Sequence, residues 1–406
     1  MKILLINNLH QRRGGADIVY LNTGALLEAE GYEVCYFSMH SDDEEACNQR
    51  QYFAPDPKIV GRVKGAVNYI YNIEAARYLE KLLIDEKPDI ACVHLMWGGL
   101  SPSIIEVLHQ HGVPVVHVVH DYRMICPAYT FRRPDNMICE DCKGGKYYHC
   151  FAHKCSKGSL AESGLMTLEM YLRQWKNNPV KTIDGFIFVS QFCRDKHIEF
   201  DRRFEDIPNT VLYNCATIET TTEERGDYFL FYGRLSHEKG VMTLLQSISQ
   251  TPGIKYRIVG TGPLEQQIKD VVRQKRLTNV ELLGYRTGEE LKNLVRKSRF
   301  VIVPSEWYEN NPMTIVEAYA VGTPVIGARI GGIPEIVQDE STGFLFESRY
   351  VVSLTNTINK ANELTDAQYA SLSSECQTFA SENFNQETYV TKLIIFLNEV
   401  YNKYNS

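Results

Sequence analysis

Glu309 and Glu317, separated by seven residues, lie in the stretch VIVPSEWYENNPMTIVEAYAVGTPVIGARIGG, residues 301–332. Asn311-Pro312 predicts a helix start, with Asn as N-cap and Pro at the first helical position. The helix should run through Thr314, Glu317 and Tyr319 until Gly322 and Pro324 stop it. Glu309 then precedes the N-terminus, where free N–H groups and the helix dipole favour an anion. Its carboxylate could cap those amides or accept hydrogen bonds from the hydroxyls of a bound sugar. The plainer alternative is that one glutamate caps and the other is a solvated helix residue. Arg234 and Lys239 project from the glycine-framed loop GRLSHEKG. A guanidinium and an ammonium on such a turn can clamp a diphosphate, or can simply be a solvated charged loop. His120 follows the apolar run VVHVV, at the strand end where α/β ligands bind; packed or surface histidines are the alternative. Gly14-Gly15 and Gly260-x-Gly262 allow close backbone approach to a ligand, or plain tight turns.

These residues need strands and helices to hold them. A strand over 2–7, a glycine loop, a helix over 16–30 stopped by Gly31 and a strand over 33–37 form a βαβ unit, which implies a parallel sheet. Residues 41–72 read as a polar surface excursion. A helix over 74–86 and strands over 90–94 and 114–119 extend the same sheet. A helix over 161–175 with apolar Leu165, Leu168, Met170 and Leu172 follows, then a strand over 183–189. Residues 211–214 close the first domain, and the threonine-rich stretch 217–226 reads as a linker. Strands over 228–232, 255–259 and 280–283 restart the alternation. The last helix carries Val390, Leu393, Ile394, Leu397, Val400 and Tyr401 on one stripe, which predicts a packed face.

A chain of 406 residues suggests two or three domains. The net charge of −7, with neither half basic, argues against a protein built to bind nucleic acid. No N-terminal signal pattern appears, and no apolar run approaches the roughly 18–20 residues of a membrane span. Eleven cysteines in this setting point to thiols or a metal rather than a disulfide framework. The expectation is a cytoplasmic protein, with loose membrane association left open.

The segment CPAYTFRRPDNMICEDCKGGKYYHCFAHKC, residues 126–155, predicts one structural zinc on Cys139, Cys142, Cys150 and Cys155. Each pair has the two-to-four-residue spacing that lets one turn offer two thiolates to a tetrahedral ion. Few aliphatic residues are present, so another staple is needed. Free thiols and disulfides compete with this reading, and Cys126, His149 and His153 are spare donors.

The pattern P-S-x-W-Y-E-N-x-P-x-x-x-x-E-A, the continuation GTPVIGARIGGIPEIV, and the motifs GRLSHEKG, VSQFCRD and HDY resemble the retaining GT-B glycosyltransferases of family 4. The resemblance implies an α/β protein with two Rossmann-like domains facing across a cleft. Residues 1–216 would be the acceptor side, with the insertion 126–155 and with the helix 386–406 packing back on it. Residues 227–385 would bind the donor. On that resemblance Glu309 contacts the donor sugar and Glu317 the ribose, while Arg234 and Lys239 hold the pyrophosphate. Gly233, Gly260 and Gly262 frame the nucleotide, Tyr285 or Arg286 lies beside the base, and Asn311, Met313 and Thr314 supply the helix N-terminus. Gly14 and Gly15 lie near phosphates and acceptor, and His120 faces the transfer centre. The implied reaction moves a sugar from a UDP- or GDP-sugar to a hydroxyl of a glycan or lipid-linked acceptor, with retention, in bacterial cell-surface polysaccharide or glycoconjugate synthesis. The absence of an Asp-x-Asp motif fits catalysis without a metal or other cofactor; association with the inner face of the membrane is left open. Two rivals are a sugar-nucleotide epimerase on the same fold and a non-enzymatic nucleotide-sugar sensor; product analysis with and without an acceptor separates them.

Overall fold

The computed structural model describes residues 1–55, 61–219 and 225–406. It divides into two compact units, Met1–Leu212 with Tyr389–Ser406, and Tyr213–Thr388. Of the stretch read as a linker, 220–224 lie outside the described residues, as do 56–60 of the polar excursion.

In the first unit six strands form one parallel sheet: β1 (Lys2–Leu9), β2 (Glu33–Met39), β3 (Ile90–Val93), β4 (Val115–Val119), β5 (Gly185–Phe188) and β6 (Asn209–Val211). Ile3, Leu4, Leu5 and Ile6 are all 0% exposed. A continuous apolar run of this kind is what a strand covered on both faces requires. The order is β2-β1-β3-β4-β5-β6. The chain leaves β1 toward β2 and then returns to the opposite side at β3, so a topological switch lies between β1 and β3. Ile3 accordingly pairs with Val34 on one side and Ile90 on the other.

The excursion 41–72 is more ordered than its composition suggests. It holds a short turn of helix, Arg50–Tyr52, and a helix Arg62–Ile70. A helix this short in a polar setting leaves little periodic signal.

The second unit repeats the scheme with β7 (Tyr228–Tyr232), β8 (Lys255–Val259), β9 (Val280–Gly284), β10 (Phe300–Val303), β11 (Val325–Ala328) and β12 (Gly343–Phe346). Its order, β12-β11-β10-β7-β8-β9, puts the switch between β7 and β10. The Gln386–Asn405 helix buries Val390, Leu393, Phe396, Leu397 and Val400. It belongs to the first unit from Tyr389 onward. A Cβ at Gly185 would sit 2.6 Å from Val400 Cγ2, so a side chain there would have to push the helix's Val400 aside. Among the described residues no helix is long and apolar enough to cross a membrane.

Candidate functional site

The loops leaving β7 and β10 meet at the switch point of the second sheet. After β7 come Gly233, the exposed Arg234, a turn of helix at His237–Lys239, and Gly240. Gly240 has φ 66°, and a Cβ there would lie 1.7 Å from the Pro304 carbonyl oxygen. Only glycine lets the two loops touch this way. The Glu306 N–H then donates to the Glu238 carbonyl at 2.8 Å. This contact brings the Lys239 ammonium 2.7 Å from Glu309 Oε1, the oxygen that also accepts from Ser305 Oγ at 2.7 Å. Glu309 is 6% exposed, so it is not a solvated residue, and the helix that follows has no side-chain cap. Its loop is held from behind by the Gly332 N–H, which donates to the Glu309 carbonyl at 2.7 Å. Gly331, at φ 60°, passes so near that a Cβ would be 2.4 Å from the same carbonyl oxygen.

The helix after this loop spans Met313–Ala320. Pro312, extended at φ −68° and ψ 120°, is its N-cap, so the helix starts one residue later than expected and Asn311 lies just before the cap. Asn311 is occupied otherwise. Its Oδ1 and its carbonyl accept from the backbone and side chain of Asn214, both at 2.9 Å. Met313 and Thr314 form the first turn. The Tyr232 hydroxyl lies 2.9 Å from the Thr314 carbonyl and 3.1 Å from Glu317 Oε2. Burial pushes the Glu317 carboxyl up, opposed by that tyrosine hydroxyl. Tyr232 was not singled out from sequence. Its signal was a polar-tipped residue closing an apolar strand directly before the glycine loop.

Gly260 and Gly262 serve the loop architecture. A Cβ on Gly260 would lie 1.9 Å from the Gly233 carbonyl oxygen, and one on Gly262 2.4 Å from that of Leu235. Their strand-end loop therefore lies flush against the loop carrying Arg234. Tyr285 is 64% exposed beyond β9, and Arg286 pairs with Glu290 at 2.6 Å.

In the first unit, His120 ends β4 and stacks on His94 at the end of β3, with ring centroids 5.1 Å apart. His94 Nδ1 and His120 Nε2 are 2.9 Å apart. Burial, and then the neighbouring His117, hold His120 down at about 3, so its imidazole is neutral at physiological pH. The buried His94 Nε2 has no partner. An orphaned acceptor is tolerated better than an orphaned N–H. A tautomer with the proton on His94 Nδ1 lets it donate to His120 Nε2 and leaves no N–H of His94 unpaired. Sequence reasoning missed His94, although a histidine closing an apolar strand was the same signal that marked His120. Gly14 caps the Gly15–Ala29 helix in an extended conformation, φ −125°. Its N–H donates to Asp17 Oδ2 at 3.0 Å, and Asp17 Oδ1 accepts from Asn7 at 2.8 Å. Asp17 thus sits over the helix entry where an anion was expected.

The insertion's thiols are all free, with Cys142 and Cys150 buried. Among the described residues, the donors that meet within 4.8 Å are Cys139, Asp141 and His153, not four thiols. The cause is a polar cluster: His153 Nε2 lies 2.9 Å from Asp141, which also accepts from Arg133. Cys155 lies against Cys150, its N–H donating to the Cys150 carbonyl at 3.1 Å and its thiol in contact with that of Cys150. Burial pushes the Cys142 thiol up, and the neighbouring Cys126, Cys155 and Cys139 add to it.

The family model described as Glycosyltransferase Family 4 matches residues 13–215, and that described as Glycosyl transferases group 1 matches 218–375. An uncharacterized 42.6 kDa protein in the cps region of Klebsiella pneumoniae is 24% identical over 83% of this chain and 87% of its own. The UDP-Gal:alpha-D-GlcNAc-diphosphoundecaprenol alpha-1,3-galactosyltransferase of Escherichia coli is 25% identical over 83% of this chain and 82% of its own. The structure of Anabaena Alr3699/HepE in complex with UDP and glucose superposes with a TM-score of 0.69 at 19% identity, covering 98% of this chain and 100% of that one.

Proposed function

The chain belongs to glycosyltransferase family 4 and has the GT-B fold of two Rossmann-like units, and from that membership we propose a retaining, metal-independent transfer of a sugar from a UDP-sugar to an acceptor hydroxyl. The observation that carries this reading is the meeting of Lys239 and Glu309 at the switch point of the second sheet. A cation for the diphosphate and a carboxylate for sugar hydroxyls there stand side by side.

In this reading Arg234 and Lys239 hold the pyrophosphate, and the first turn of the Met313–Ala320 helix adds its N–H groups. Glu317, braced by Tyr232, takes the ribose hydroxyls, and Glu309 takes those of the sugar. The donor's anomeric C–O bond breaks and its electron pair goes to the leaving diphosphate. The acceptor oxygen bonds to the same face of the sugar, and its proton passes to the departing phosphate oxygen. Charge develops on the diphosphate, so the cations act where the transition state needs them. Neutral His120 offers an N–H to the reacting sugar. UDP is favoured over GDP because the galactosyltransferase relative is named for UDP-Gal and the structural neighbour holds UDP.

The acceptor is assigned to a lipid-linked glycan at the cytoplasmic face of the membrane, in cell-surface polysaccharide synthesis. Two names support this: the relative acting on a diphosphoundecaprenol-linked sugar, and the relative from a cps region. The test incubates the protein with UDP-hexoses, with and without a lipid-linked glycan extract, and reads anomeric configuration by NMR. An α-linked product from an α-donor, formed only with acceptor, is the expected result. A new sugar nucleotide without acceptor marks an epimerase, and binding without turnover marks a sensor.

A further inference from the structure

The Leu160–Lys176 helix is built inside out. Its buried side carries Ser163, Thr167, Glu169 and Arg173 together with Met170. Its outer side carries Leu160 at 48%, Leu168 at 52%, Tyr171 at 41% and Trp175 at 83% exposure. With Gly164 these lie at steps of four, four, three and four residues, one stripe along a helix.

The short Tyr148–Ala152 helix widens the stripe. Phe151, 47% exposed, lies over Gly164, where a Cβ would meet its ring at 3.4 Å. Tyr148 is 53% exposed, and its N–H donates to the Tyr171 hydroxyl at 3.2 Å. The apolar surface is therefore continuous across both helices, and contiguous exposed patches of this kind mark interaction sites.

The buried side fixes the orientation. Arg173 forms a two-pronged pair with Glu169 at 2.8 and 3.0 Å, lies 4.3 Å from the Trp97 ring, and donates to the Arg123 carbonyl at 2.9 Å. Rotating the helix to hide its apolar side would break a buried ion pair, which is strongly unfavourable.

Charge decides the occupant. The chain carries a net −7, yet residues 143–181 hold seven Lys and Arg against two Asp and Glu. Lys154 and Lys157 precede the stripe in the chain and Lys176 and Lys181 follow Trp175, all exposed. Nearby acids answer two of them: Glu162 lies 3.7 Å from Lys157, and Glu106 lies 3.6 Å from Lys176. A second copy docking face to face would set lysines against lysines. An anionic lipid surface instead matches the cations, and its headgroup zone suits the outward Trp and Tyr.

We propose that the outer face of the Leu160–Lys176 helix, with Tyr148 and Phe151, docks this chain on an anionic bilayer. This deepens the reading of a lipid-linked acceptor, on which it rests, but its test uses no substrate, so either can fail alone. Flotation is run with phosphatidylcholine vesicles, with and without phosphatidylglycerol. Expected is binding that requires phosphatidylglycerol, weakens with salt, and shifts tryptophan emission to the blue, since Trp175 is far more exposed than Trp97, at 5%. The Leu168→Ser/Trp175→Ser double variant should lose roughly tenfold or more in vesicle affinity. It should keep its thermal unfolding and its UDP affinity, which shows that it folds. Wild-type protein that ignores phosphatidylglycerol vesicles, or a double variant that binds them equally, overturns the proposal. A dimer in light scattering that the double variant dissolves overturns it in favour of a second copy.

Discussion

Glu309→Gln is expected to tighten the binding of free UDP while slowing sugar transfer. In the unliganded protein Lys239 already has a partner 2.7 Å away. At an effective dielectric of about 20 the bare Coulomb attraction would be about 6 kcal/mol. Most of it is offset by desolvation of a carboxylate that is only 6% exposed, leaving about 1.5–3 kcal/mol for a charge-assisted bond. A diphosphate that recruits Lys239 must compete with that bond and approach the carboxylate's own charge. Gln keeps the shape and the hydrogen bond to Ser305 but removes the charge. If about half the pair's energy returns to the ligand, the gain is about 1 kcal/mol, or about fivefold in Kd. Lys239→Ala should instead weaken UDP about tenfold or more. In the Lys239→Ala background the Glu309→Gln gain should shrink, because nothing remains to be released. Calorimetry with UDP on the four proteins measures all of this, and a transfer assay gives kcat. Unchanged or weaker UDP binding in Glu309→Gln would refute competition between the carboxylate and the diphosphate.

Other outcomes follow from the same geometry. Arg234→Ala should weaken UDP by about 1.5–3 kcal/mol with the fold intact, and Arg234→Lys should rescue little, because a fork becomes a point charge; near-normal donor KM in both variants contradicts the assignment. Glu317→Ala should chiefly raise donor KM, and Tyr232→Phe should do so more mildly through loss of its 3.1 Å contact, whereas a fall in kcat alone would place Glu317 at the reacting centre. Acidification should destabilise the first unit. His10, His117 and His197 are held down at about 4 by burial, so in the unfolded chain they bind protons first. Their contribution is fully present above about pH 6.5 and declines toward pH 4, at roughly 1.4 kcal/mol per pH unit for each group. Thermal unfolding between pH 7 and 5 reads this, and a flat profile would argue against neutral buried imidazoles.

Much of the fold was legible because parallel strands buried on both faces announce themselves as apolar runs. That holds for β1, β4 and β7, the last ended directly by Gly233. The Arg62–Ile70 helix was not legible, since nine residues in a polar setting carry too little period. Site residues stood out by type and position, but their partners did not. Nothing in the spacing of Lys239 and Glu309 says they pair, because the pairing depends on Gly240 passing under Pro304. Asn311 looked like a cap and is instead bonded to Asn214, a contact of 97 residues' separation that no local pattern encodes. The Leu160–Lys176 helix shows the converse limit. Its apolar positions were visible, but which side faced inward was decided by the Glu169–Arg173 pair.

The insertion supplies the last prediction: we propose one structural zinc on Cys139, Cys142, Cys150 and Cys155. Thiolates are soft donors that suit zinc, and four of them close a structural site. The segment needs a staple. Its regular structure is a turn of helix at Lys143–Gly145 and the short Tyr148–Ala152 helix. Of the ten non-glycine residues with positive φ among the described ones, Tyr129, Phe131, Asn136, Lys154 and Lys157 lie in or just beside it. Left-handed backbone costs roughly 1–2 kcal/mol at a bulky residue, so something must offset it. The competing arrangement is the polar group of Cys139, Asp141 and His153, which Arg133 already neutralises in part. Variants separate the two. Protein made without added metal should contain about one zinc per chain by elemental analysis. Cys142→Ser and Cys150→Ser should each lose it and unfold at lower temperature, as expected when metal binding is coupled to folding. His153→Ala should keep it. Zinc that survives Cys150→Ser but leaves with His153→Ala refutes the four-thiol site and moves the ion to the Asp141 cluster. No zinc in the wild type, with these thiols freely titratable in the native protein, removes the metal altogether.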